Sequence, residues 1–361
     1  MKKSRKTLRI IINMGVYFSA VVGAGFASGQ EIMQFFTNFG VSSLWAVIPV
    51  TIFFGALGWL CIELGHRMHT DSHSPIIQAT CGKWLGKIID WVITFFMFGC
   101  FALMVSGGGT TLADYFGMNP IVGRILTAAI TVLVVILGFQ IISFFNGIIG
   151  PVIIVSVLVV SLIAIFRSTD GIGNVAGILE TADVYRSAPN IIISLFLYVA
   201  FCVTGNMATL AGIGNREEDA SVRKYSGWAG GLALGLCILF INYTLLKNYE
   251  NIYESSIPLV ELAVQIYRPL GIFFAVILLL GILSSAVSFL FGTVTRFTEY
   301  GTRHSKVLAC ILGIVAVLSG MVPFERLVNT LYPLLGYVGL IVMLGSTYYV
   351  IKNRKRTIEK K

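Results

Sequence analysis

The sequence predicts an all-α integral membrane protein with about ten transmembrane helices, each of roughly 20 residues. Composition is the first observation, because 56% of the 361 residues are hydrophobic and only 12% are charged. Patterning is the second, because the apolar residues form long continuous runs without the alternating polarity of barrel strands. A helix satisfies its own backbone hydrogen bonds inside the bilayer, so the runs are predicted to be helices.

The predicted spans belong to a single transmembrane domain, residues 1–361, with a basic cytoplasmic tail at residues 352–361. In chain order the spans are residues 8–39, 44–66, 88–112, 121–141, 147–166, 190–213, 225–246, 270–297, 307–322 and 327–351.

The positions of Lys and Arg predict the orientation of the chain. Cytoplasmic loops are enriched in these residues. With the N-terminus inside, 20 of the 26 Lys and Arg residues fall on cytoplasmic segments. Both termini are therefore predicted to be cytoplasmic, in a bacterial cell membrane. The net charge of +9 then reflects topology and contact with anionic lipid, and no nucleic-acid partner is expected.

No pattern typical of an enzyme or a metal centre stands out. The six cysteines lack CxxC spacing, and the chain has no P-loop, HExxH or GxSxG motif. No disulfide framework is expected. His66, His69 and His73 have a spacing that a metal site would tolerate, but a solvated loop is the favoured interpretation. No cofactor is predicted.

The first span contains a glycine-rich interruption, "VVGAGFASGQEIMQFF" at residues 21–36. A dinucleotide-binding loop would need a preceding strand, which an apolar span does not provide. Backbone groups bared near the midplane must face protein or a water-filled cavity. Gln30 and Glu31 follow directly, and a carboxylate inside a membrane usually lies on a substrate or ion route. Helix packing through Gly25 and Gly29 is the alternative.

A second interruption lies at the matching position of the second half. Splitting ten spans five and five gives repeats at about residues 8–166 and 190–351, and span 6 is interrupted at Thr204, Gly205 and Asn206. An odd number of spans per half makes the second half enter the membrane from the other side, which yields a 5+5 inverted repeat. In such folds the substrate lies between helices broken near the midplane.

This plan, together with "GAGFASGQE" in span 1, resembles the amino acid-polyamine-organocation superfamily, with its LeuT-type fold, and specifically the bacterial YkvI-like membrane proteins. The resemblance implies a secondary transporter of a small amino-acid-like or zwitterionic solute, working by alternating access. Residues implied to bind an anionic group of the solute through backbone N–H groups are Gly23, Ala24, Gly25 and Phe26. Residues implied to line the opposite wall are Val203, Thr204, Gly205 and Asn206.

The same resemblance implies one sodium site between span 1 and span 8. Gly281, Ser284 and Ser285 stand at i, i+3 and i+4, so they share a helical face, and the carbonyls of Ser19 and Val22 would complete a set of oxygen ligands. Such ligands suit a hard cation. A second sodium ion is not expected, because a phenylalanine replaces the asparagine that relatives use for it.

Alternatives exist for the coupling ion and for the mode of action of the protein. Proton-coupled relatives carry a lysine on span 5, whereas residues 147–166 hold no ionisable side chain, which favours sodium over protons as the coupling ion. Proton coupling through Glu31 is the alternative. A solute sensor on a transporter scaffold, like the germinant-receptor permeases, is another, and protein partners stay open.

Overall fold

A computed structural model describes residues 2–167, 172, 175–182, 184–255, 257–319 and 324–358. These residues form α-helices and a 3₁₀ helix at Thr37–Ser42, and no strand occurs among them. The helices are α1 (Lys2–Val21), α2 (Ala24–Ala27), α3 (Gln30–Phe35), α4 (Ser43–Met68), α5 (His73–Cys81), α6 (Lys83–Phe116), α7 (Pro120–Leu137), α8 (Phe139–Arg167), α9 (Val175–Thr181), α10 (Ile191–Gly205), α11 (Met207–Arg216), α12 (Ala220–Lys247), α13 (Tyr249–Ile252), α14 (Pro258–Ile266), α15 (Arg268–Phe297), α16 (Arg303–Ser319) and α17 (Phe324–Ile358).

The all-α membrane fold is confirmed. Within the described residues, seven helical segments are long and apolar enough to cross a membrane, and the bent pair of α10 and α11 makes an eighth. The count of ten stays a prediction. The first predicted span is divided among α1, α2 and α3, and α16 has 17 described residues, with 320–323 outside the description. The predicted basic tail begins as the helical end of α17, and residues 359–361 are not described.

The first span is broken where the glycines predicted it. Helix α1 ends at Val21, and α2 is a single turn before α3 begins at Gln30. Gly29 has a φ of 84°, in the left-handed region that favours glycine. A Cβ at Gly25 would overlap with the Glu31 side chain of the same segment, whereas a Cβ at Gly29 would lie 3.2 Å from Leu259 of α14, so packing against another helix applies to Gly29 and not to Gly25.

The second break separates α10 from α11. The two helices differ in direction by 55°, and Asn206 is the residue between them. Two broken helices, one in each half, are therefore present at the positions that the inverted repeat requires.

Small residues allow the close packing around these breaks. A Cβ on Gly15 of α1 would lie 2.6 Å from the carbonyl oxygen of Gly147 in α8. Gly231 of α12 likewise approaches the backbone of Gly55 in α4. Such contacts let helix backbones approach closely without a side chain between them, as in membrane helix pairs generally.

Ion pairs join segments on the side of the bundle where α1 begins, which we call the N-terminal face. The Arg9 guanidinium lies 3.0 Å from a carboxylate oxygen of Glu217, and the Lys6 ammonium lies 2.5 Å from Asp219. Lys6 holds the pKa of the Asp219 carboxyl below its ordinary value, chiefly through their hydrogen bond. These pairs tie α1 to the connection between α11 and α12.

His73 does not lie in a solvated loop, so that expectation is wrong. It begins α5, is fully buried, and its Nε2 lies 3.1 Å from the Thr94 hydroxyl and 3.4 Å from Asp90 Oδ1. Burial, followed by the nearby Arg296 guanidinium, lowers the pKa of His73 to about 3. Arg296 supplies the positive charge for Asp90, at 2.5 Å. The reason for the error is tertiary, since α5 folds back onto α6.

Candidate solute and cation site

The side chain of Glu31 fills the space beside the first break. It is 2% exposed, and its carboxylate reaches back over the glycine at position 25, where any Cβ would overlap with it. The Phe26 backbone lies near this carboxylate. The carboxylate that fills the space beside the first break therefore belongs to the chain itself.

The binding of an anionic group of the solute to the N–H groups of residues 23–26, which the family resemblance implies, stays a prediction. The Glu31 side chain occupies the space beside Gly25 in the same segment. Gly23 lies between α1 and α2, where a Cβ would be 3.2 Å from Ser285 Oγ. Ala24 begins α2, and its side chain lies outside the described residues.

A second donor to Glu31 comes from the other broken helix. The hydroxyl of Tyr198, in α10, donates to Glu31 Oε2 over 3.1 Å. Cys202, one turn further along α10, interacts electrostatically with the same carboxylate, as do Cys100 in α6 and Tyr332 in α17. The hydrogen bond of Glu31 with Tyr198 thus joins α3 to α10.

Three aromatic rings contact the Tyr198 ring. The Tyr198 ring centroid lies 4.9 Å from that of Phe35, 5.3 Å from Phe36 and 6.0 Å from Phe54. All four side chains are fully buried. Such edge and tilted contacts hold the rings in fixed orientations, so the carboxylate lies next to a rigid aromatic wall.

The second break presents polar atoms that have no partner. Thr204 and Asn206 are buried, and among the described residues neither Thr204 Oγ1 nor Asn206 Oδ1 has a hydrogen-bond partner. The Asn206 amide nitrogen donates to the Cys202 carbonyl over 3.0 Å. Val203 is fully buried, and Gly205 leaves room for the Phe289 ring, 3.2 Å from the position of a Cβ. Buried unpartnered polar atoms are uncommon in folded proteins and call for an explanation.

A pocket lies on the side of Glu31 away from the N-terminal face. It has a volume of about 420 Å³, and Gln30, Gln34, Asn38, Tyr185, Tyr253 and Glu254 are among its lining residues. The Gln30 side chain is buried and its Oε1 atom has no hydrogen-bond partner in the described part of the chain. This pocket therefore reaches the residue next to Glu31.

The structure brings the five residues of the predicted cation site together. The Ser284 hydroxyl donates to the Ser19 carbonyl. A Cβ placed on Gly281 would lie 3.2 Å from the Val22 carbonyl oxygen. A Cβ placed on Gly23 would lie 3.2 Å from the Ser285 hydroxyl oxygen. The site is made of carbonyl and hydroxyl oxygens alone, a donor set that suits a hard cation. Its occupation by sodium stays a prediction.

Comparisons with known proteins agree with this architecture. No protein-family model matches the chain. It is 25% identical over 344 residues to the uncharacterized membrane protein YkvI of Bacillus subtilis (strain 168), which covers 95% of this chain and 96% of that protein. It is 26% identical over 343 residues to the uncharacterized protein YyaD of the same organism, which covers 94% and 97%. The predicted resemblance to YkvI-like membrane proteins is confirmed.

Solved structures share the fold. One is MhsT in complex with L-phenylalanine, with a TM-score of 0.62 and 16% identity over 95% of this chain and 87% of that one. Another is a sodium-coupled sialic acid symporter, with a TM-score of 0.66 and 12% identity over 93% and 78%. The chain has the LeuT-type fold. These neighbours are transporters and not enzymes, in agreement with the predicted class.

Within the LeuT-type fold, one polar residue near the cation site escaped the sequence analysis. Asn146 is fully buried in α8, and its amide nitrogen lies 3.5 Å from the Ser288 hydroxyl, which itself donates to the Ser284 carbonyl over 3.1 Å. Its Oδ1 is without a partner among the described residues. The predicted span began at residue 147, whereas α8 begins at Phe139, so the boundary error concealed this asparagine.

A carbonyl adjacent to a predicted ligand was also missed. The Ser285 hydroxyl donates to the Ala20 carbonyl over 3.0 Å. The family resemblance implied the carbonyls of Ser19 and Val22 on this turn, and sequence spacing does not distinguish which carbonyls of the last turn of α1 face α15. The positions of the neighbouring helices decide it.

Proposed function

We propose that this chain is a sodium-coupled secondary transporter that carries a small amino-acid-like or zwitterionic solute by alternating access. The contact of α1 with α15 supports sodium as the coupling ion. A bound cation would take the Ser284 and Ser285 hydroxyl oxygens and the carbonyls at the end of α1 as ligands, so binding would tie these two helices together.

The solute site proposed here lies between the breaks. Glu31 and Tyr198 join α3 to α10, and the unpartnered Thr204 Oγ1 and Asn206 Oδ1 atoms lie at the end of α10. The pocket beside Gln30 would let the solute reach the site from the side of the membrane opposite the N-terminal face. The ion pairs of the N-terminal face would close the route from that face. Breaking those pairs would open that face, which is the rearrangement alternating access requires. Because Lys and Arg are concentrated on one side of the predicted spans, we infer that both termini lie in the cytoplasm of a bacterial cell.

Reconstitution into lipid vesicles tests the proposal. Purified protein would be supplied with an inward sodium gradient and a panel of labelled amino acids, betaines and amines. Saturable uptake that requires sodium supports the proposal. Uptake driven by a pH gradient and independent of sodium would contradict the coupling ion and favour proton coupling through Glu31. Solute binding without flux would contradict transport and favour the sensor.

A matched pair of serine variants links the flux to the site. Ser284→Ala removes a predicted sodium ligand in α15. Ser161→Ala removes a buried serine hydroxyl in α8 that has no hydrogen-bond partner within the described residues. We expect the first variant to raise the sodium concentration needed for half-maximal uptake and the second to leave it unchanged.

A further inference from the structure

We propose that the start of α6 and the end of α15 form a binding surface for an anionic phospholipid, in the leaflet that borders the N-terminal face. Lys83 and Lys87 bind its phosphate group, and exposed apolar side chains deeper in the membrane contact its acyl chain. This inference does not depend on transport, because it concerns the surrounding membrane and neither the solute nor the coupling ion.

Helix α6 begins on the N-terminal face. Glu63, near the end of α4, pairs with Arg223 near the start of α12, and Asp219, directly before α12, pairs with Lys6. The nine residues of α5 join α4 to α6 and span only about 14 Å, too little to cross the membrane. The 34 residues of α6 extend about 51 Å, whereas the hydrocarbon core is about 30 Å thick. The first turns of α6 therefore lie at the level of the lipid headgroups.

An exposed apolar stripe runs along α6 from its first turn. Its members are Trp84, Ile88, Trp91 and Phe95, at i, i+4, i+7 and i+11, so they share one face of the helix. Their exposed fractions range from 52% to 85%, which means that this face is turned away from the bundle. Tryptophan favours the boundary between headgroups and acyl chains, so the stripe starts at the depth where a phospholipid changes from polar to apolar.

Arg296, at the end of α15, holds the rings of this surface in place. Its guanidinium lies 5.4 Å from the ring centroid of Trp91 and 5.7 Å from that of Phe297. The two rings lie 5.8 Å apart. Arg296 also pairs with the buried Asp90 carboxylate at 2.5 Å, so its own charge is balanced within the protein. The cation–π contacts therefore join α6 and α15 into one surface.

Two lysines give this surface positive charge that the protein does not balance. Lys83 and Lys87 are exposed, and their spacing places them on the same face of α6 as Trp91. In the described part of the chain neither lysine forms an ion pair. Helical side chains lean towards the N-terminus of their helix, and lysine extends its ammonium group towards water. Both charges are therefore expected at headgroup level, where basic clusters attract anionic lipids.

The charge and the apolar stripe together favour an anionic phospholipid over other occupants. A zwitterionic phospholipid brings its own positive group, which two lysines would repel. A second copy of the chain, docked symmetrically through the same surface, would bring the lysines of both copies together. Free phosphate has no chain to cover the apolar stripe. A headgroup with net negative charge, such as phosphatidylglycerol, satisfies both parts of the surface.

The test measures lipid binding to the purified full-length chain in a mild detergent. Dioleoyl phosphatidylglycerol, dioleoyl phosphatidylcholine and inorganic phosphate are added separately, and the unfolding temperature is recorded, because a ligand of the folded state raises it. Native mass spectrometry counts the bound lipids. We expect phosphatidylglycerol to stabilise the protein more than phosphatidylcholine with the same chains, and phosphate alone to have no effect.

Variants locate the binding. In the double variant Lys83→Gln with Lys87→Gln we expect the apparent affinity for phosphatidylglycerol to fall about fivefold for each lysine removed. Phosphatidylcholine binding should not change. Arg5→Gln with Lys224→Gln is the matched control, because it removes two exposed charges from the starts of α1 and α12; it should bind phosphatidylglycerol as the wild type does.

Two further measurements keep the test decisive if the double variant fails to fold. Trp84→Ala alters a side chain that is exposed and so should fold, and it should weaken the binding of both lipids by removing contact with the acyl chain. Raising the salt concentration from about 0.05 M to about 0.5 M should reduce the preference of the wild type for phosphatidylglycerol, because exposed charges are screened.

Several results would overturn the inference. Equal stabilisation by the two lipids, or unchanged phosphatidylglycerol binding without the two lysines, would remove the charge recognition. An equal loss in the control variant would show that general surface charge is responsible. Stabilisation by phosphate alone would indicate an anion site without a lipid, and a dimer that Trp84→Ala abolishes would assign the surface to a second copy. Sodium-driven uptake is measured separately, so either lipid result leaves the proposed function standing.

Discussion

The hydroxyl of Tyr198 donates a 3.1 Å hydrogen bond to the carboxylate of Glu31, and this contact joins the two broken helices of the protein. Glu31 is the second residue of α3, the helical segment after the first break, and Tyr198 lies two turns before the second break. Both side chains are buried, and the bond joins α3 to α10 at the place where the solute is proposed to bind.

Removing this hydroxyl is predicted to weaken solute binding. In Tyr198→Phe the carboxylate loses the hydroxyl that donates to it, and a hydrogen bond to a charged group contributes about 1.5–3 kcal/mol. We therefore expect the dissociation constant to rise by about tenfold or more, measured by ligand-dependent thermal unfolding. Tyr17→Phe is the control, since that hydroxyl donates to the Phe54 carbonyl over 2.9 Å. Equal binding losses in both variants would count against a specific role for Tyr198.

A methyl group at position 25 is predicted to abolish uptake. In Gly25→Ala the new Cβ overlaps with the Glu31 side chain, so the carboxylate must leave its position beside the first break. Membrane insertion should be intact, as judged by expression and a monodisperse elution profile. Gly177→Ala is the control, because nothing lies within 4 Å of a Cβ at that position. Wild-type uptake by Gly25→Ala would show that this close packing is unimportant.

The hydroxyl of Ser285 is predicted to matter for sodium more than for solute. Ser285→Ala removes one oxygen from the proposed ligand set and the hydrogen bond to the Ala20 carbonyl. We expect the sodium concentration for half-maximal uptake to rise several-fold, while solute affinity at saturating sodium changes little. Vesicle uptake at varied sodium concentrations measures both quantities. An unchanged sodium dependence would remove Ser285 from the site.

The stability of the protein is predicted to fall in mild acid, partly because of His73. Its pKa is lowered from 6.5 to about 3 by burial and by Arg296. Below pH 6.5 the unfolded chain takes up a proton at His73 and the folded chain does not, so this contribution is complete above pH 6.5 and is lost as the pH falls towards 3.

His73 binds at most one proton, so its contribution changes the free energy of unfolding by at most about 1.4 kcal/mol per pH unit. Thermal unfolding in detergent from neutral pH downwards should show a shallower loss for His73→Gln than for the wild type. His69→Gln is a control, because His69 is exposed at the C-terminal end of α4. Parallel curves for the wild type and His73→Gln would contradict the assignment.

Several features of the site follow from local sequence and were predictable. Three glycines close together in an apolar run are unfavourable in a continuous helix. The helix breaks there, because glycine tolerates the left-handed backbone conformation that Gly29 adopts. Ser284 and Ser285 share a face with Gly281 because helical periodicity alone places them so. Boundaries were less predictable, since Gly138, with a φ of 116°, ends α7 inside a continuous apolar run.

By itself, the sequence determined the membrane class, the two breaks and the serine face of α15, because hydropathy, backbone freedom and helical periodicity act over neighbouring residues. Only the tertiary structure decided where Glu31 points, that Tyr198 meets it, and that His73 is buried against Asp90. These contacts join positions distant along the chain, or fold a side chain back over a glycine. Their geometry depends on how whole helices pack, which the local pattern of residues does not encode.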